Sequence, residues 1–124
     1  VSLQNLLQVN QSEYWKTHLN FGAKSKFQNK AMSKSAAQGL MINTIAPLLV
    51  AYSEYKDDAD MLDRAMNILM TLPVEQNHII RKWQTLGWNV NSSFDTQGLI
   101  ELHNEYCLTR KCMKCKIGIE LVKA

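Results

Sequence analysis

The sequence predicts an all-α fold, a single small bundle of about five helices around a kinked, buried central helix, with no significant sheet. Apolar residues recur at helical spacing in segment after segment, and nothing alternates apolar and polar over more than a few residues. The third observation is the most apolar run of the chain, residues 36–55. There Ala37, Leu40, Met41, Ile45, Leu48, Leu49 and Tyr52 mark one helical face, and Ile42, Ala46 and Val50 fill much of the other. A helix apolar almost all round is expected to be buried. Pro47 has no N–H for the carbonyl of Asn43 and its ring crowds that group, so a kink or a break into two helices is expected near Asn43. Asn43, Thr44 and Pro47 interrupt the run, and its apolar part, residues 40–52, falls short of the roughly 20 residues a bilayer requires, so no membrane partner is expected.

The remaining elements follow in order. Leu3, Leu6 and Leu7 have no partner element close behind them in sequence and read as the tail of an upstream helix, in a piece of a larger protein. Tyr14, Trp15, His18 and Leu19 are spaced for a short amphipathic helix over 12–20, capped by Ser12 and docked on the central helix. Residues 21–32 lack periodicity and read as a loop anchored by Phe21 and Phe27; residues 1–31 together form a peripheral helix and loop. Ser33 or Ser35 can cap the central helix. Asp57 or Asp58 can cap the next, whose stripe is Leu62, Ala65, Met66 and Leu69. Pro73 suits the first position of a helix bearing Ile79, Ile80, Trp83 and Leu86 and stopped by Gly87, which leaves a connection so short that the two helices should be a tight antiparallel or sharply angled pair. Ser92 and Asp95 form the acidic variant of a capping box, opening a helix with Leu99, Leu102 and Tyr106 on one face. Gly98 within it suggests close approach to a neighbouring helix. Residues 107–124 form a cysteine-containing tail.

At 124 residues, 46% hydrophobic and 20% charged, the chain is one helical domain with enough apolar residues for a real core. No basic and apolar leader of the secretory kind is visible at the N-terminus, and three cysteines without a disulfide framework suit a reducing, cytoplasmic compartment. The net charge of +3 is unevenly spread. Residues 16–34 hold five lysines and no carboxylate, residues 54–63 hold five carboxylates and one lysine, and Arg110, Lys111, Lys114 and Lys116 make the tail basic again. Lys24, Lys26, Lys30 and Lys34 with those four tail residues are candidate nucleic-acid contacts if the fold brings both segments to one side.

The chemical lead is the pattern His103-x3-Cys107-x4-Cys112-x2-Cys115. Three thiolates and an imidazole are a legitimate structural zinc set, and C-x2-C in a tight turn is its most typical element. C-x4-C-x2-C is also the spacing of the first three ligands of plant-type ferredoxins, but the fourth cysteine of an iron–sulfur site is absent from this chain. A Cys112/Cys115 redox pair is a further reading, and reduced structural thiols with no cofactor is the simplest. No catalytic constellation competes: His18 and His78 have no nucleophile or carboxylate at an informative spacing, and the acidic run 57–63 lacks the glycine and terminal glutamate of a calcium loop. The chain therefore reads as a non-catalytic helical interaction or scaffold module, with a nucleic-acid-binding accessory domain as the alternative.

Four ordered motifs, MINTIAPLLVAY, LPVEQNHIIRKW, DTQGLIELHNEYC and C-x4-C-x2-C-x-IG, resemble the C-terminal part of an uncharacterised bacterial family found chiefly in Bacteroidetes and catalogued as a domain of unknown function. The likeness runs from about Tyr14 to Leu121. It implies a C-terminal module attached to a longer N-terminal region, which would be its partner and which carries carboxylate-rich stretches reminiscent of metal-dependent nucleases; none of those stretches is in this chain. His103 stands where the family pattern more often has lysine, and the resemblance implies no activity.

Overall fold

In the computed structural model, which describes residues 3–7, 9–28 and 32–123, the chain enters through two short helices, α1 (Leu3–Leu7) and α2 (Glu13–Lys16). A two-stranded antiparallel pair follows, β1 (His18–Asn20) with β2 (Ala23–Lys24). The amphipathic helix expected over 12–20 therefore ends at Lys16. Gly22, at φ +80°, turns the chain back, and its N–H donates to the Tyr14 hydroxyl at 3.0 Å, which favours the hairpin over a further helical turn. The aromatic residues there pack on one another, His18 stacking on Tyr14 at 3.9 Å and Trp15 meeting Phe21 edge-on at 5.0 Å, and among the described residues neither α2 nor the hairpin shares a substantial interface with the central helix. Ser12 takes the N-cap conformation, but its side chain makes no capping bond. α1, read from sequence as lacking a partner, packs on the start of the central helix, and Leu7 joins the core.

The central helix is continuous but not uniform. Ser33 accepts from Ala36 N at 3.0 Å and starts α3 (Lys34–Leu40), a π turn occupies Met41–Ile45, and α4 (Ala46–Lys56) completes it. The disturbance expected near Asn43 is thus a wider turn, in which Ala46 N bonds to Met41 O five residues back. Winding one residue wider moves the Pro47 ring off the α-helical position above the Asn43 carbonyl, and Asn43 Nδ2 donates to Gly39 O at 2.9 Å. Asp57, left-handed at φ 53°, ends the helix, and Asp58 caps α5 (Ala59–Thr71) by accepting from Asp60 N at 3.0 Å. α4 and α5 pack against each other along the largest helix–helix interface of the fold.

The expectation that this helix is buried all round is corrected by its exposure. Ala37, Met41, Ile42, Ala46 and Ser53 are buried, whereas Leu48 is 65%, Tyr52 47% and Tyr55 79% exposed. The described elements cover one face only, so the apolar residues beyond the π turn divide between core and solvent.

Pro73 does not open a helix. Residues 72–77 form neither helix nor strand: Leu72, pushed out of the α region as the residue before proline, sits at φ −78°, ψ 144°, and Asn77 is extended too. This segment is held by distant partners. Leu72 O accepts from Ser93 N at 3.0 Å, Pro73 O accepts from Ser93 Oγ at 2.6 Å, and Glu75 Oε2 receives Gln97 Nε2 and lies 3.2 Å from Thr96 Oγ1. Asn77 then caps α6 (His78–Thr85) through Ile80 N at 2.9 Å. α5 and α6 are not the tight pair expected from a two-residue connection; each packs instead on α7 (Ser93–Leu102). The capping box of α7 is formed as expected, with Ser92 Oγ accepting from Asp95 N at 3.4 Å and Asp95 Oδ2 accepting from Ser92 N at 3.1 Å. Gly98 has no atom within 4 Å of where a Cβ would stand, so it marks no close approach.

Among the described residues the core falls into two clusters. Met41, Ile42 and Leu72 gather Leu7, Ile45, Ile68 and Leu69, while Ile80, Val90 and Leu99 gather Val74, Trp83, Ile100 and Leu102. The 72–77 segment joins them, since Leu72 lies in the first and Val74 in the second. The fold is a mostly helical bundle with one small hairpin, in keeping with the all-α expectation.

Candidate functional site

After α7 the chain winds through a second π turn, His103–Cys107, with Leu108 N donating to His103 O at 2.9 Å. It reverses at Arg110, left-handed at φ 54°, forms a 3₁₀ turn at Cys112–Lys114, and ends in α8 (Lys116–Lys123). Gly118 permits this return, because a Cβ there would lie 2.3 Å from the carbonyl oxygen of Cys112.

The return borders an open cavity of about 470 Å³. It is lined by Trp83 and Leu86 of α6 and by Trp88 after Gly87, the two indoles edge-on at 5.7 Å. Leu102 and Tyr106 line it as well, as do Ile117 and Leu121 of α8. Cys107, Cys112 and Cys115 all line it as free thiols, the first two exposed and Cys115 buried. The interior is dominated by carbon and sulfur, which suits an apolar group and gives a charged one no partner.

The proposed zinc set is brought together only in part. The three cysteines share this cavity, but His103 does not line it, and its Nδ1 lies 3.2 Å from Asn104 Oδ1. Among the described residues no group of three or more His, Cys, Asp and Glu side chains is close enough to hold a metal ion. The candidate nucleic-acid residues divide as well. Lys24 lies on β2, Lys26 in the following segment and Lys34 at the start of α3, whereas Arg110, Lys111, Lys114 and Lys116 surround the 3₁₀ turn. The elements that carry the two groups share no substantial packing interface, and Lys30 lies outside the described residues.

A second feature was not anticipated. Pro47, Leu48, Ala51, Tyr52 and Tyr55 are all exposed and recur at helical spacing along α4, an apolar strip on the outside of the helix that builds the first core cluster. Its signal in the sequence is a helix apolar on more sides than one core can cover. By length and composition alone the helix Lys34–Lys56 could cross a membrane, and 22% of its most apolar window is buried.

No curated protein and no solved structure matches this chain. A family model described as protein of unknown function, DUF2851, matches residues 1–78, from α1 to the first residue of α6, and stops before every residue that lines the cysteine cavity. The chain belongs to that family of proteins of unknown function.

Proposed function

We propose that the chain is a non-catalytic helical interaction module, the C-terminal part of a longer bacterial protein, which docks a partner helix on the exposed strip of α4. The observation that carries this reading is the exposure of Leu48, Tyr52 and Tyr55 on the helix that also supplies Met41 and Ile42 to the core. An amphipathic helix laid along that strip would cover Leu48, Tyr52 and Tyr55 at i, i+4 and i+7, the spacing that helix-in-groove contacts use. The partner we assign is the preceding region of the same full-length protein. We read the strip as a protein surface rather than a membrane span because Asn43, Thr44 and Pro47 interrupt the apolar run of the helix and one side of it packs on α5. The nucleic-acid alternative has less behind it, since the two basic segments lie on elements without a substantial shared interface.

The test is association between this chain and the preceding region supplied separately. A photo-crosslinking residue at Tyr52 should join the two, and the double change Leu48→Glu, Tyr55→Glu should abolish co-purification while the Tm stays within a few degrees, since both side chains are exposed. Undiminished association of the double variant would refute the assignment.

A further inference from the structure

We propose that Cys112 and Cys115 form a reversible dithiol–disulfide pair, in which the exposed Cys112 meets a small-molecule disulfide and the buried Cys115 resolves the adduct. The pair is independent of the α4 strip. Cys115 N donates to Cys112 O at 3.1 Å across the 3₁₀ turn. A turn closed in this way holds its first and fourth Cα atoms within about 7 Å, and disulfides bridge Cα separations of about 4.4–6.8 Å. Both residues line the same cavity, and the i, i+3 spacing across a 3₁₀ turn places them on one side of it. The turn is also braced. Gly118 lies directly against the Cys112 carbonyl, and Cys115 O accepts the first helical bond of α8 from Ile119 N at 2.9 Å. The thiols are thus held as neighbours by the backbone.

Their unequal exposure assigns the roles. Cys112 is exposed and Cys115 is 9% exposed, so an incoming disulfide reaches Cys112 first. Lys111, Lys114 and Lys116 are exposed around the turn and complement an anionic disulfide, of which oxidised glutathione is the probe. In the first step the Cys112 thiolate attacks one glutathione sulfur, the glutathione S–S bond breaks, and one glutathione leaves, taking up the proton that Cys112 released. In the second step the Cys115 thiolate attacks Cys112 Sγ, the mixed disulfide breaks, and the second glutathione leaves with the proton from Cys115. Two protein thiols are oxidised to one disulfide while one glutathione disulfide is reduced to two thiols. Excess reduced glutathione reverses both steps. In a reducing compartment the resting form is the dithiol, and oxidation is transient.

The test equilibrates the full chain with defined mixtures of reduced and oxidised glutathione, traps thiols by acid and alkylation, and maps the tryptic peptides by mass spectrometry. Cleavage after Lys111, Lys114 and Lys116 separates the two cysteines, so their bridge appears as two linked short peptides. The expected result is loss of two alkylation sites with that link, unchanged in Cys107→Ser. Cys115→Ser should stop at a glutathione adduct on Cys112. Quenching of Trp83 and Trp88, which line the same cavity, should follow the link. A wild-type chain that stops at the glutathione adduct, links Cys107 to either partner, or resists oxidation would overturn the proposal.

Discussion

Replacing Gly118 with alanine isolates the contact on which the C-terminal return depends. In an ordinary helix alanine is favoured over glycine by up to about 1 kcal/mol. Here the new Cβ would lie 2.3 Å from Cys112 O, 2.9 Å from its carbonyl carbon and 3.0 Å from its Cα, all backbone atoms that no rotamer change can move. Restoring ordinary contact requires α8 and the 3₁₀ turn to part by about 1 Å, and overpacking of this kind costs about 1–3 kcal/mol. With the clash at the middle of that range and the full propensity gain subtracted, the net loss is about 1 kcal/mol and the fall in Tm about 3–6 °C. The 3₁₀ turn is the one element with which α8 shares a substantial interface among the described residues, so the damage should be local. Circular dichroism melting, with hydrogen exchange resolved by peptide, is the assay: residues 112–123 should lose protection while α4 and α5 keep theirs. A Gly118→Ala chain as stable as the wild type, with α8 fully protected, would refute the reasoning.

Gly98 provides the opposite case. It lies exposed inside α7 with open space where a Cβ would go, so Gly98→Ala should raise stability by about 0.5–1 kcal/mol in urea unfolding. Ser93 is fully buried and donates to Pro73 O, and Ser93→Ala leaves that carbonyl without this donor; a loss of about 1–3 kcal/mol is expected by the same measurement, with an unchanged m-value.

Legibility from sequence followed the range of the interactions involved. Caps act over three or four residues, so the Ser92/Asp95 box and the left-handed Gly87 could be read directly, and the caps Ser33 and Asp58 could each be narrowed to one of two residues. The 72–77 segment could not. Its conformation is fixed by Ser93 and Thr96, about twenty residues away, and Pro73 alone is equally at home at a helix start. The central helix was misjudged for a related reason. Apolar periodicity tells which faces avoid water and leaves open whether this chain or another covers them, and Leu48 and Tyr55 face outward. At the cavity the cysteine spacing correctly marked the turn, while Trp83 and Trp88 were missed as lining because α6 meets the tail only through the reversals at Gly87 and Arg110.

A π turn is an α-helix carrying one surplus residue. The turns at Met41–Ile45 and His103–Cys107 can therefore each be understood as an insertion absorbed without breaking the helix. One added residue rotates everything downstream by about 100° around the axis. At the first turn this aims the side chains of α4 differently from those of α3. Family members lacking a single residue in that window would keep both helices yet present a different face of α4 to solvent. Length variation of one residue there, in step with a changed identity at positions 48, 52 and 55, is the mark such a history would leave.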